Sequence, residues 1–144
     1  MLSEVRITPL AKAQATGLRG RSLAAYEDFK GELAQRGCAA MGYRATGELV
    51  ERLCVRHLRG ADRVVVAFPE PDVATIVLVG RHTDDPATNV YDLLYRVLDI
   101  DTVPADKRTK PPCCDEEGSP PFADDELIDA LARRTRGLLG GRRQ

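Results

Sequence analysis

Apolar and polar positions along this chain follow two periods, and the switches between them predict its elements. Val5-Arg6-Ile7-Thr8 alternates and stops at Pro9, the pattern of a short strand. Pro9 suits the first turn of a helix running through Leu10, Ala11, Ala13 and Ala15, because the N–H it lacks would go unpaired there anyway. Gly17 and Gly20 end that helix. Ser22 is the expected cap of a second helix, in which Tyr26, Phe29 and Leu33 form one stripe while Glu27, Asp28 and Lys30 face water. Gly37 closes it. These two helices are expected to lie antiparallel over one face of a sheet.

Three strands follow. In the run Leu49 to Leu58, the period of two puts Leu53, Val55 and His57 on one face and Arg52, Cys54 and Arg56 on the other. Arg59-Gly60-Ala61-Asp62 reads as a turn, Arg63 to Phe68 as a strand, and Pro69-Glu70-Pro71-Asp72 as a second turn. Val73 to Gly80 is the most apolar stretch, and its β-branched residues mark a buried central strand. Turns this short imply a meander. After the polar loop from Arg81 to Thr88, Asn89 caps a helix with Asp92 three positions on, and Val90, Leu94, Val97 and Leu98 form its apolar side. A last helix starts at the cap Asp124 and carries Leu127, Ile128 and Leu131. The fold class is therefore α+β: a small antiparallel sheet in the order β-α-α-β-β-β-α, followed by an extension with one short helix. Five of the nine prolines fall after residue 100, which divides the chain into a domain at 1–100 and a Pro-rich charged extension at 101–144.

Composition narrows the function. The 144 residues suit one domain, or one domain with a tail, and 21 basic against 22 acidic side chains give a net charge of −1. That excludes a protein that grips nucleic acid by gross charge and a polybasic membrane adsorber. No apolar run approaches the roughly 18 residues of a membrane span, and Met1-Leu2-Ser3-Glu4 lacks the basic and apolar regions of a signal peptide. A cytoplasmic location is expected, with no membrane partner. The four cysteines, Cys38, Cys54, Cys113 and Cys114, are then expected to be free thiols in a reducing compartment. The alternative is a zinc set of Cys54, His57, Cys113 and Cys114, although paired knuckles are missing.

The pieces Val5-Arg6-Ile7-Thr8-Pro9-Leu10-Ala11, Gly60-Ala61-Asp62-Arg63-Val64-Val65-Val66, Val77-Leu78-Val79-Gly80-Arg81-His82 and Asn89-Val90-Tyr91 occur in an order and at intervals that resemble the RelE/ParE toxin superfamily of bacterial toxin–antitoxin systems. The resemblance covers about residues 4–98. It implies a RelE-like toxin that inhibits translation as an mRNA interferase, cleaving mRNA on the ribosome. The alternative is a non-enzymatic binder, such as a ParE-like gyrase inhibitor or an inactive regulatory protein. It also implies a cognate antitoxin as partner and no cofactor or metal. By resemblance, Arg63 matches the strand-opening arginine, Arg81 the arginine ending the last strand, Tyr91 the C-terminal tyrosine and His82 a nearby histidine.

Those residue types suit attack of an RNA 2′-hydroxyl on its neighbouring phosphate. Arg63 and Arg81 offer planar donors that stay charged as negative charge grows on phosphorus. His82 exchanges a proton near neutrality. Tyr91 serves as a base, with its pKa lowered by the two arginines, or stacks on a nucleobase. Arg52, Arg56 and Arg59 are candidates to line an RNA groove. Residues 1–100 carry 13 basic and 13 acidic groups, so affinity requires these arginines on a few adjacent strands, with the acids elsewhere. In the extension, Lys107 to Glu117 turns from basic to acidic across Pro111 and Pro112. It reads as a linker, or as a segment that lets residues 101–144 cover the basic face of the core.

Overall fold

A computed structural model describes residues 1–45, 52–85, 89–98 and 111–141, with side chains to 137. Among the described residues ten elements succeed one another: β1 (Glu4–Ile7), α1 (Pro9–Ala15), α2 (Gly20–Arg36), a 3-10 turn (Gly37–Ala40), β2 (Tyr43–Arg44), β3 (Leu53–His57), β4 (Asp62–Glu70), β5 (Val73–Arg81), α3 (Val90–Val97) and α4 (Asp125–Gly141). The protein is α+β, with a five-stranded sheet in the order β1-β5-β4-β3-β2. The sheet is mixed and not antiparallel throughout. β2 to β5 form the expected meander, but β1 lies parallel to β5, with Glu4 opposite Val73 and Ile7 opposite Ile76. Parallel neighbours need a long crossover, and everything from α1 to β4 supplies it.

Local chemistry accounts for most of the boundaries. Thr8 caps α1 by accepting from Ala11 N–H, and Pro9 stands in the first turn. Gly37, at φ 60°, ends α2 as expected. Ser22 does not cap that helix: α2 begins two residues earlier at Gly20, whose φ of 53° suits only glycine, and Ser22 lies inside the first turn. β4 runs past Phe68 to Glu70, because a register irregularity between Ala67 and Glu70 accommodates Pro69, which has no N–H to give. A second bulge, between the Val65–Leu78 and Val66–Ile76 pairs, places Val77 and Leu78 on the same face. The start of the expected strand at Leu49 to Glu51, the loop residues Pro86 to Thr88, the 100/101 boundary and the basic run Lys107 to Lys110 lie outside the described residues.

Two apolar layers sandwich the sheet. On one face α2 buries Tyr26, Phe29 and Leu33 against Cys54, Val64, Val66, Phe68 and Ile76. Each such side chain stabilises the fold by about 1.5–3 kcal/mol relative to exposure. On the other face α3 and α4 bring Val90, Leu94, Val97, Leu98, Leu127 and Leu131 onto Leu53, Val55, Val65 and Leu78. β1 covers only half of the β5 edge. The rest is capped by α1: Thr8 Oγ1 donates to Val77 O, and Gln14 Oε1 accepts from Val79 N. An edge closed this way cannot template further pairing.

The C-terminal residues are built into this core. Asp124 caps α4 by accepting from Leu127 N, Ala123 N donates to Phe68 O, and Arg134 donates to Val97 O. The cysteines are not free thiols. Cys38 is bonded to Cys114 and Cys54 to Cys113, and none is left unpaired. Neighbouring cysteines do not bridge each other readily, but nothing in that rule prevents each from reaching a different element. The zinc set fails for a related reason. The pleat points Cys54 into the α2 layer and His57 to the opposite face, and no group of three metal-binding side chains exists among the described residues.

Candidate functional site

The α3 face of the sheet ends in a row of rings. Tyr43 pairs with Val55, and His57 follows Val55 on the same face, so Tyr43 and His57 become diagonal neighbours. Tyr43 Oη lies 3.1 Å from His57 Nε2 and 2.6 Å from Tyr91 Oη. The His82 ring meets Tyr91 edge-on, with centroids 5.0 Å apart. His57, Tyr43, Tyr91 and His82 thus form one continuous chain contributed by β3, β2, α3 and the loop after β5. His57 and His82 are exposed, and the two tyrosines are half-buried.

Two local features hold α3 in place. Gly80 lies directly beneath Val90, where an added Cβ would come within 3.1 Å of the Val90 side chain. Glycine therefore lets the first turn of α3 approach the sheet and brings Tyr91 to Tyr43. Asn89 occupies the cap position but does not bond the helix backbone: its Oδ1 accepts from Thr83 N and its Nδ2 donates to Asp92 Oδ2 at 2.6 Å. Asn89 so ties the loop bearing His82 to the helix bearing Tyr91. His82 N donates to Ala61 O, which fixes the same loop to the β3–β4 turn.

Arg63 stands beside this row. It pairs with His57 across one strand boundary and with Gly80 across the other, so it shares their face. It is 9% exposed, and its Nη1 donates to Gly60 O and Asp62 O while Nε has no hydrogen-bond partner. No carboxylate pairs with it among the described residues. A buried donor left unmatched costs about 1–3 kcal/mol, and an unpaired buried cation favours an incoming anion.

The other arginines are dispersed. Arg81 points to the opposite face and approaches the carboxylate of Asp62 at 3.9 Å. With Arg59, Ser22, Gly60 and Ala61, these two line a cleft of about 310 Å³ at the hairpin end. Arg52 reaches Asp124 on the far side of the chain at 3.3 Å. Arg56 packs over Phe29 on the α2 face, donating to both Glu32 oxygens and to Ala40 O. Arg52, Arg56 and Arg59 therefore go to different places: Asp124, Glu32 and the hairpin cleft. Nor are the acids elsewhere, since Asp124, Glu32 and Asp62 each sit against one of the arginines. Of the residues picked from sequence, His82 and Tyr91 are in contact, Arg63 lies on the same face, and Arg81 does not join them. Tyr43 and His57 are additions. Strand parity already placed His57 beside Val55, whereas Tyr43 carries no signal without its pairing to β3.

The Arg56 guanidinium, and then Arg36, hold the Glu32 carboxyl below the usual carboxylate range. A depressed carboxylate adds stability above its unfolded pKa of about 4.3, and that stability is lost as pH falls through the folded value. Glu32→Gln is expected to lower unfolding stability by about 0.5–1 kcal/mol at pH 7 and by less at pH 3. Urea melts at the two pH values read the difference, and equal losses at both would contradict the ionic origin.

No family model matches the chain, and no curated protein or solved structure matches it.

Proposed function

We propose that the protein is an endoribonuclease acting by 2′-hydroxyl attack, in the manner of a RelE-like toxin. The reading draws on the RelE/ParE resemblance over about residues 4–98. The observation that carries it is the buried, unpaired Arg63 beside the chain His57–Tyr43–Tyr91–His82. The reaction needs a base for the 2′ proton, an acid for the departing 5′-oxygen, and positive charge for the phosphorane between them. Two histidines divide the proton transfers, since imidazole is the side chain most often used as general acid or base. Arg63 meets the phosphate oxygens, where fixed charge is often the largest catalytic contribution. Tyr43 and Tyr91 hold the histidines apart and offer a ring face to a base. The products are a 2′,3′-cyclic phosphate and a free 5′-hydroxyl.

Its partners on this reading are mRNA on the ribosome and a cognate antitoxin, in the cytoplasm. Among the described residues no helix is long and apolar enough to cross a membrane. Two disulfides are uncommon in a reducing compartment and so weigh against the cytoplasm.

A second reading, a RelE/ParE-fold binder that blocks gyrase or another target without cleavage, has one observation in its favour. Arg52, Arg56 and Arg81 are paired with carboxylates, which leaves little free positive charge for RNA. Cell-free translation with primer extension on the message separates the two. The nuclease reading expects discrete new 5′ ends and stalled synthesis. Intact message removes that reading, and inhibited DNA supercoiling would then support the second.

A further inference from the structure

Cys113 and Cys114 are adjacent, and each reaches a different element of the core: Cys114 to Cys38 in the 3-10 turn, Cys113 to Cys54 in β3. The same segment supports β2, the shortest strand of the sheet. Arg44 N donates to Pro111 O at 2.8 Å, and Arg44 Nε donates to Cys113 O at 3.3 Å. β2 holds Tyr43, the middle of the ring chain.

The two bridges differ in access. Cys54 and Cys113 are 0% and 2% exposed. Cys114 is partly exposed and opens onto a groove of about 330 Å³ formed with Arg44, Pro111, Pro112, Asp115 and Glu116. Disulfide exchange requires a thiolate to reach one sulfur. Cys38 Sγ also lies 3.4 Å from Gly118 O, so the thiol released there has an acceptor waiting.

We propose that the Cys38–Cys114 bridge is a redox-modification site, opened by a dithiol reductant ahead of Cys54–Cys113, and that its opening loosens β2 and the Tyr43 link. A thiolate of the dithiol attacks Cys114 Sγ, and a mixed disulfide forms as the bond to Cys38 breaks. The Cys38 thiolate takes a proton. The second thiol of the reductant then attacks its own half of the mixed disulfide and releases Cys114. The reductant leaves as a disulfide, two electrons pass to the protein, and its two protons end on Cys38 and Cys114. Freed on one side, the 111–116 segment holds Arg44 less firmly, and the two-residue edge strand is left with its bonds to β3 and the Tyr43 hydroxyl contacts alone.

The test is graded reduction of the full chain with dithiothreitol, trapping of free thiols by alkylation, and peptide mapping by mass. Cys38 and Cys114 are expected to be alkylated first, with Cys54 and Cys113 protected. In that half-reduced form, amide exchange in the peptide spanning 42–45 is expected to rise about tenfold. The variant carrying Cys38→Ser and Cys114→Ser, which keeps the second bridge, should show the same rise. Simultaneous alkylation of all four cysteines, prior release of Cys54 and Cys113, or unchanged exchange in both forms would overturn the proposal. Its consequence for activity rests on the nuclease reading: cleavage should fall on half-reduction. Protein that is inactive in both redox states counts against that reading alone, and the exchange data still decide the redox site.

Discussion

His82→Ala is expected to slow RNA cleavage by roughly 10²–10⁴-fold, the usual contribution of a positioned proton donor or acceptor. His57→Ala should fall in the same range, because the two rings occupy the two ends of one chain through Tyr43 and Tyr91. Arg63→Ala removes a buried guanidinium on that face and should cost about 2.7–4 kcal/mol of barrier, the loss typical of one charge-stabilising donor. Arg81→Ala is the contrasting control. From sequence alone Arg81 belongs with the catalytic set, but it lies on the opposite face with Asp62, and its loss is expected to leave the chemical step within about threefold of wild type. Combining His57→Ala with His82→Ala should cost less than the product of the two, since groups that act as a unit are not additive. Single-turnover cleavage of an RNA oligonucleotide measures all five proteins, and thermal melts establish that each is folded. An Arg81 variant as damaged as the His82 variant, or a His82 variant within tenfold of wild type, would sink this assignment.

The second large effect is on stability. Cys38–Cys114 closes a loop of 76 residues and Cys54–Cys113 one of 59. In the chain-entropy account either bridge alone would contribute about 4 kcal/mol. They do not simply add. Once one is formed, the adjacent cysteine is already near the core, and the second bridge closes only the stretch between Cys38 and Cys54, worth about 3 kcal/mol. Removing either pair by double alanine substitution is therefore expected to cost about 3 kcal/mol, and removing both about 7 kcal/mol. Against a typical total of about 5–15 kcal/mol, the fully reduced protein should lose roughly half or more of its stability while either single-bridge form stays folded. Guanidinium melts of the oxidised protein and the three variants check this. A single-pair loss as large as the loss of both would refute the shared-loop argument. The same geometry bears on truncation. Deleting residues 101–144 removes Cys113, Cys114, Leu127 and Leu131 together, so it should unfold the core and not simply uncover a basic face.

Several elements were legible because their signals are local. Pro9 after an alternating run, Gly37 after the Tyr26–Phe29–Leu33 stripe, and Asp124 ahead of Leu127 each act within a turn or two of chain. Strand parity likewise separated Leu53, Val55 and His57 from Cys54 before any pairing was known. Parity did not tell which arginines would meet. Arg63 and Arg81 both flank the hairpin, yet Gly80 and not Arg81 lies opposite Arg63, and that register puts their side chains on different faces. β2 was missed because two residues, Tyr43 and Arg44, carry no period of their own. They are extended only because β3 and the cysteine segment bond them from either side.

The types of most elements, the two-faced character of the longer strands and the apolar stripes of α2, α3 and α4 can be read along the chain, since each depends on the period of neighbouring residues. The parallel placement of β1 on β5, the two disulfides and the joining of His57 and Tyr43 to His82 and Tyr91 come from tertiary packing. Those pairings link positions up to 76 residues apart, and the choice among possible partners is made by burial and register in the packed sheet, which no local pattern encodes.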